Sequence, residues 1–439
     1  MKCITSILIL FITVSDPSYA QESLGNHPLT LPAAFALAMR NNTDISVARH
    51  ESNLARQEAT VSRLGHLPDA SAGLTEGYLS NADIWEPPGL GDHRTLHIPH
   101  QMTALSVEAS EVIYAGGRVN ANVRKADLKE QIALLALEEK QQDILLLIAA
   151  RYLEIYRQLN HREVYLNNSR LARERMHNIM ALRKQGMVTK NDSLRTQIQI
   201  SDYDLAARRV GNAIIRLNNS FNVALALPDS MRLIPDSSLL HTPRHTEGLD
   251  YYLALAQGNS PSLRIGDLET AVSHVQINEI KAERLPVLSA YAGSGFQRPF
   301  LNAAPPQDIY YNIWQAGIRL HYNINSLYKT PQKIRAGELA QTVAQSRARL
   351  REEEVDVSVR NAYNRYQESW DVLETSKRDV ESANENYRIV MEKYQNQLAL
   401  ITDVIDASNT KIDTEIKVTD ALIDTIYTYY QLLKSAGKL

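Results

Sequence analysis

The sequence predicts a mainly α-helical chain with a small β part, in which long coiled-coil-like helical hairpins join four short strands and the arrangement occurs twice. Three observations predict it. Two long stretches lack both Gly and Pro, Arg118 to Gln185 and Glu338 to Ala436. Four segments of about ten residues alternate apolar and polar side chains. The first half of the chain also returns in the second at a nearly constant offset.

Taken in order, the first twenty residues have the build of an export signal: Lys2, an apolar stretch from Ile4 to Val14, and the small-x-small site Ser18-Tyr19-Ala20. Cys3 is the only cysteine. Beyond residues 1–20 the chain therefore has no thiol for a disulfide, a thiolate metal site or a nucleophile. A formal charge of -3 leaves no basic surplus, which argues against nucleic acid as a partner. After the signal the longest apolar run is Ile144 to Ala150, far below the ~20 residues of a spanning helix, so passage through a bilayer would need strands closed into a barrel.

As a helix, Arg118 to Gln185 would extend roughly 100 Å, and Glu338 to Ala436 about 150 Å, so a reversal is expected inside the second. The repeat says where. An offset of 218 pairs Leu37 with Leu255, Asn41 with Asn259 and Leu67-Pro68 with Leu285-Pro286. From about residue 105 an offset of 211 pairs Arg124 with Arg335, Tyr152 with Tyr363 and Asp192 with Asp403. This reads as a tandem duplication, with structural repeats at 21–246 and 247–439. The change of offset falls in two segments rich in Pro, Asn and Asp, Asn81 to Met102 and Gln297 to Ile309, which read as surface loops.

Strands are expected at about 69–80, 102–113, 286–297 and 310–323. Ala70, Ala72 and Leu74 oppose Ser71, Gly73 and Thr75, with Glu76 breaking the stripe; Leu105, Val107 and Ala109 oppose Ser106, Glu108 and Ser110. Leu288, Ala290 and Ala292 form the third apolar stripe, and Trp314, Ala316, Ile318 and Leu320 the fourth. The lengths suit tilted strands of an outer-membrane barrel, with Trp314 and Tyr322 as interfacial aromatics. Four strands cannot close a barrel, whereas three copies would supply twelve. Tyr366, Leu373, Val380, Tyr387 and Tyr394 recur every seven residues, as do Leu145, Tyr152, Leu159 and Leu166. Helix periodicity alone favours a self-contained bundle; the strands reverse that preference.

These features together resemble the outer-membrane efflux protein family, the TolC-like channels. The residues that carry the resemblance, between Leu29 and Gly437, are Leu29-Thr30-Leu31-Pro32-Ala33-Ala34 with Ala38 and Asn41-Asn42, Leu67-Pro68, Tyr114-Ala115-Gly116-Gly117-Arg118, and Ile401-Thr402-Asp403-Val404-Ile405-Asp406-Ala407. The resemblance implies a homotrimer in the outer membrane of a Gram-negative bacterium, with a twelve-stranded barrel set in outer-membrane lipid and continuous with a twelve-helix α-barrel in the periplasm. It implies the passive exit duct of a tripartite efflux or type I secretion system, fed by an inner-membrane pump of RND or ABC type through a periplasmic adaptor (membrane fusion protein), with no cofactor and no enzymatic activity.

The resemblance also implies roles at the helix reversals. In the first half the turn matches Gly186 to Asp192, and its counterpart begins at Gln397, where the family's usual Gly is replaced and Asn396 adjoins. Asp403 and Asp406 match acidic rings that line the family's constriction. One helical turn apart they face the same way, and two like charges about 6 Å apart repel by roughly 3 kcal/mol at an effective dielectric of 20, so a cation-preferring gate is expected. The alternative is a pair of solvated helix-start residues favoured by the helix dipole. Tyr394 is expected to tie to Asp192 as a latch, or else simply to end the heptad seam. Ala399 stands where some relatives carry a basic residue, so their salt bridge to the neighbouring chain is missing. Adaptor contact is expected at Gly186, Met187 and Val188 and at Leu398, Ala399 and Leu400, apolar residues at exposed turns, unless they form a staple inside the trimer.

Other chemistry finds little support. His93, His97 and His100 lie close in sequence, but a loop containing Pro87-Pro88 offers them no rigid scaffold, so no metal is expected. Gly293-Ser294-Gly295 lacks the nucleophile-elbow pattern, and neither a phosphate-gripping glycine loop nor a His-Glu-x-x-His motif is present. The rival readings are a periplasmic coiled-coil scaffold or adaptor protein, and a hydrolase with an unrecognised site.

Overall fold

The computed structural model describes residues 29–85, 93–236 and 243–439. The expected signal segment and Pro87-Pro88 lie outside the described residues. In chain order the elements are α1 (Leu31–Asn41), α2 (Thr43–Arg63), a 3-10 turn (Leu64–His66), β1 (Asp69–Tyr78), β2 (Ala82–Trp85), β3 (His93–Leu96), β4 (Gln101–Tyr114), α3 (Arg118–Lys184) and α4 (Lys190–Leu225). Then follow α5 (Leu249–Asn259), α6 (Pro261–Ala282), β5 (Val287–Arg298), β6 (Tyr311–His321), α7 (Ser326–Gln395) and α8 (Ile401–Ser435).

Local chemistry sets the boundaries. Asn42 ends α1 and starts α2: its Oδ1 accepts from the backbone N–H of Asp44 (2.9 Å) and Ile45 (3.2 Å), while its Nδ2 donates to the Ala224 carbonyl at 2.8 Å. The return from β4 to α3 runs through Gly116 and Gly117 at φ +64° and +84°. A Cβ on Gly116 would lie 2.8 Å from Leu285 Cδ1, so glycine is needed there for the close approach as well as for the dihedral. α7 begins earlier than the Gly- and Pro-free stretch suggests, at Ser326, and runs through Pro331 and Gly337. Pro331 falls in the second turn and forfeits only a bond near the helix start.

β1, β4, β5 and β6 form one antiparallel sheet in the order β1-β4-β5-β6. Its register aligns the apolar stripes across all four strands: Ala72 pairs with Val107, Val107 with Ser294, and Ser294 with Trp314. Ala70, Ala109, Ala292 and Ala316 form the next row. The opposite face carries Ser71, Glu108, Gly293 and Gln315. Large apolar side chains on the first face are open, among them Leu74, Val107, Trp314 and Ile318. The segment Asn81 to Met102, expected as plain loop, instead contains a two-stranded ribbon, β2 paired with β3. Ala82-Asp83-Ile84-Trp85 and His93-Arg94-Thr95-Leu96 are short but alternate, and Thr95 Oγ1 donates to Asp83 Oδ1 at 2.8 Å across the ribbon.

The long helices and α2 and α6 lie beside one another, with α1 and α5 crossing them. Near the sheet the order is α2-α3-α6-α7, and far from it α4-α3-α8-α7. The main core lies between, where α1 crosses the long helices: Leu31, Ala34, Ile148, Tyr152, Ile155, Phe221, Leu225 and Ile423 are buried together. Tyr152 satisfies its hydroxyl there by donating to the Leu29 carbonyl (2.7 Å) and accepting from the Asp236 N–H (2.8 Å). Burial pushes its pKa up to about 12. A second cluster, with Tyr252, Val359, Tyr366 and Leu432, forms where α5 crosses α7 and α8.

Candidate functional site

The end of the molecule far from the sheet is built from two helix turns. α3 closes with the Met187 N–H donating to the Leu182 carbonyl and the Gly186 N–H to the Arg183 carbonyl, both at 3.0 Å, with Gly186 at φ +73°. α7 closes with the same pair, Leu398 N–H to Lys393 carbonyl (2.8 Å) and Gln397 N–H to Tyr394 carbonyl (3.0 Å), but the left-handed residue is Gln397 at φ 64°. A non-glycine residue there costs about 1–2 kcal/mol. Asn396 Nδ2 donates to the Glu392 carbonyl at 2.8 Å, satisfying one carbonyl that the helix end leaves open.

The outgoing helices start with carboxylates. Asp192 Oδ2 accepts from the Thr189 N–H (3.0 Å) while Thr189 Oγ1 accepts from the Asp192 N–H (3.4 Å), a complete capping box. Asp403 Oδ2 accepts from the Leu400 N–H at 2.9 Å, but Leu400 has no side-chain oxygen to reciprocate, so α8 has half the box. Asp403 and Asp406 are exposed on one side of α8, and Val404 and Ala407 on the other are buried.

Between the turns lies a small apolar cluster of Ile179 from α3, Tyr394 from α7, and Ile401 and Val404 from α8, against which Val188 and Ala399 pack. Of the six turn residues expected to contact an adaptor, Val188 and Ala399 are thus partly covered by their own chain, whereas Gly186, Met187, Leu398 and Leu400 are exposed. The expected tie between Tyr394 and Asp192 is not formed. The Tyr394 hydroxyl is buried without a hydrogen-bond partner among the described residues, and Asp192 caps its own helix instead. Burial first, and the Asp192 charge second, raise the Tyr394 pKa, against a smaller opposing effect of Arg175.

Sequence reasoning missed the layer just inside this cluster. Arg175 is 5% exposed, and its guanidinium donates to Gln199 Oε1; Gln199 Nε2 donates to the Tyr203 hydroxyl (2.6 Å), which donates to Asn409 Oδ1 (3.0 Å) and lies 3.2 Å from Ser408 Oγ. Arg175 has no carboxylate partner among the described residues, and its Nε has no hydrogen bond. Asn168, seven residues earlier on α3, is buried as well, but no local pattern in the sequence marks either residue. On the same helix pair Asp204 accepts from Ser169 Oγ (2.6 Å) and Arg173 (2.5 Å), and the Ser169 hydroxyl and then Arg173 hold its carboxyl below the usual range.

At the opposite end, Glu76 sits on the apolar face of the sheet and accepts from Gln101 Nε2 (2.9 Å) and Thr103 Oγ1 (2.7 Å). Nearby Arg298 makes a bidentate pair with Asp308 at 2.6 and 2.8 Å. These groups form a polar collar at the outer limit of the apolar band. His100 Nδ1 lies 2.8 Å from the Leu79 carbonyl and its ring stacks on Tyr78, while the His93 ring lies against Trp85. No group of three or more metal-binding side chains occurs among the described residues.

Residues 252–438 match the family model for outer membrane efflux protein. The fold of the described residues is similar to that of solved outer-membrane channels. VceC from Vibrio cholerae superposes with a TM-score of 0.77 at 12% identity, covering 93% of this chain and 96% of VceC. CmeC from Campylobacter jejuni gives 0.76 at 12% identity, covering 100% and 94%. The open state of MtrE from Neisseria gonorrhoeae gives 0.72 at 13% identity, covering 93% and 88%. No curated protein matches in sequence.

Proposed function

Residues 252–438 carry an outer membrane efflux protein domain, and from that premise we propose that the chain is one third of a trimeric outer-membrane duct. The observation that carries this reading is that every layer of the molecule has two unpartnered edges, sorted by half. On one side lie β1, α2 and α4, all from the first half; on the other lie β6 and α7, from the second. Edge strands of ten and eleven residues with open ladders are aggregation hazards in a lone chain. The helix edges match as well: α2 exposes Val47, Leu54 and Val61, and α7 exposes Val343, Leu350 and Val357, both at seven-residue spacing. An edge of one kind on each side makes a head-to-tail contact, which closes into a ring. Three four-stranded sheets give a barrel of twelve, with the apolar face toward outer-membrane lipid and the polar face toward a water-filled lumen.

The long helices then form a periplasmic tunnel whose far end is narrowed by the turns, with Asp403 and Asp406 as a cation-preferring constriction. Met187, Leu398 and Leu400 are the apolar side chains left open to a periplasmic adaptor, which would join the duct to an energised inner-membrane pump. The chain itself acts as a passive conduit. A periplasmic scaffold would leave the apolar face of the sheet in water, which weighs against it. Purification from outer membranes in detergent is expected to yield a particle of three chains that conducts ions in a planar bilayer, and a monomer without conductance would overturn the proposal. Replacing Asp403 and Asp406 together by Asn is expected to reduce cation preference; unchanged selectivity would remove the gate assignment.

A further inference from the structure

The two helical hairpins below the core carry opposite charge. Between Arg151 and Leu225 there are thirteen basic side chains against six acidic, and between Arg360 and Ser435 nine against thirteen. Within one chain this contrast is already used where α3 meets α8. Arg157 reaches Asp424 at 2.5 Å and Asp420 at 3.6 Å, His161 Nε2 lies 2.7 Å from Asp420, and Asn168 reaches Glu415 at 3.4 Å. These contacts join residues about equally far from their respective turns, so the two hairpins stand level.

Among the described residues no further long helix lies beside the outer edges, α4 and α7, in the single chain, although Arg244 crosses α7 and donates to Gln367 Oε1 at 2.6 Å. On α4 the side turned away from the buried face presents Leu194, Ile198, Leu205, Arg209, Arg216 and Val223, all exposed. On α7 the corresponding side presents Glu368, Asp371 and Glu374, also exposed. Glu374 pairs with Lys377 at 2.9 Å, whereas Arg209, Arg216, Glu368 and Asp371 make no ion pair among the described residues. Counted from the turns, Arg209 and Arg216 lie roughly 22 and 29 residues up α4, and Asp371 and Glu368 roughly 26 and 29 residues up α7, about 35–45 Å at 1.5 Å per residue. Unpaired charges of opposite sign thus stand at one height on the two free edges.

We infer that Arg209 and Arg216 of one copy dock on Glu368 and Asp371 of the next, forming an ionic belt around the tunnel between copies; this rests on the ring reading above. The occupant of the α4 edge is a second copy of this chain because that copy presents the complementary carboxylates in register. The belt also selects the partner edge. Two α4 edges brought together would oppose four guanidinium groups, and two α7 edges four carboxylates, so like halves are kept apart and the ring must alternate.

The test uses the full-length chain in detergent, which has no cysteine other than Cys3. In the double variant Arg216→Cys with Glu368→Cys, a short bismaleimide is expected to give covalent dimers and trimers on a denaturing gel, and either single variant none. Reversal at Arg209→Glu with Arg216→Glu is expected to raise the dissociation constant of the assembly about tenfold at low salt and much less at high salt. Adding Glu368→Arg and Asp371→Arg to that chain is expected to restore assembly. If the trimer forms but neither cross-links through these positions nor responds to reversal, the belt is overturned and the duct stands. If the unaltered protein is a monomer, the duct reading fails and the belt with it.

Discussion

The two turns at the end of the molecule far from the sheet make the same backbone hydrogen bonds, yet one is formed by Gly186 and the other by Gln397. The Gly186 turn joins a fully capped helix, the Gln397 turn a half-capped one. Identical geometry is therefore held at different local cost, and the second turn depends more on its neighbours: Asn396 at the carbonyls and the shared apolar cluster beneath. The difference makes the α7–α8 turn the weaker of the two when examined alone, and the cluster is what keeps them together.

Removing that cluster should have the largest effect. Ile179→Ala empties a fully buried position and is expected to destabilise the tip by about 2–5 kcal/mol. Because Ile179 touches α7 and α8, hydrogen exchange should rise at both turns; a change confined to the Gly186 turn would show that the two are independent. Exchanging the turn residues comes next. Gly186→Gln should cost about 1–2 kcal/mol and Gln397→Gly should gain about 1 kcal/mol, read in the exchange rates of the Met187 and Leu398 amides. Equal responses would erase the distinction between the turns.

Tyr394→Phe is expected to leave the closed conductance unchanged or slightly lower, since the hydroxyl it removes is buried and unbonded. A rise in conductance would mean that the hydroxyl gains a partner on assembly. The smallest effect concerns acid. The carboxyl of Asp204 is held below its ordinary value, so its contribution to stability is present above about pH 4 and is lost as pH falls through the lowered value. Ser169→Ala should move that loss to higher pH, seen as earlier acid unfolding of the α3–α4 hairpin, with α7–α8 unaffected.

Much of this architecture was legible in the sequence because its signals are long. A helix such as α3 announces itself by the absence of Gly and Pro over its length, and the sheet by alternation kept in parity across four segments. Gln397 as the start of the second turn followed from the offset of 211 applied to Gly186, although no glycine marks it. The ribbon β2–β3 was hidden because its strands have four residues each and its flanks resemble loop. The expected bond from Tyr394 to Asp192 is not formed: the Asp192 carboxylate accepts from the Thr189 N–H instead, since a carboxylate at the third position of a helix is drawn back to its own cap. Arg175 escaped notice because one basic residue among many on α3 carries no sign of where it points.

That arginine has a consequence for motion. Its polar layer separates the apolar cluster of Ala172, Ile200, Tyr203 and Ile412 from the one containing Ile179, Tyr394 and Val404. Greasy contacts do not run unbroken from the rest of the rod into its last two turns, so melting or splaying at the very end need not propagate upward. The final segment is therefore expected to open as a unit of its own, with a boundary drawn by one enclosed guanidinium, seen as hydrogen exchange that rises in the last two turns without a matching rise above Arg175.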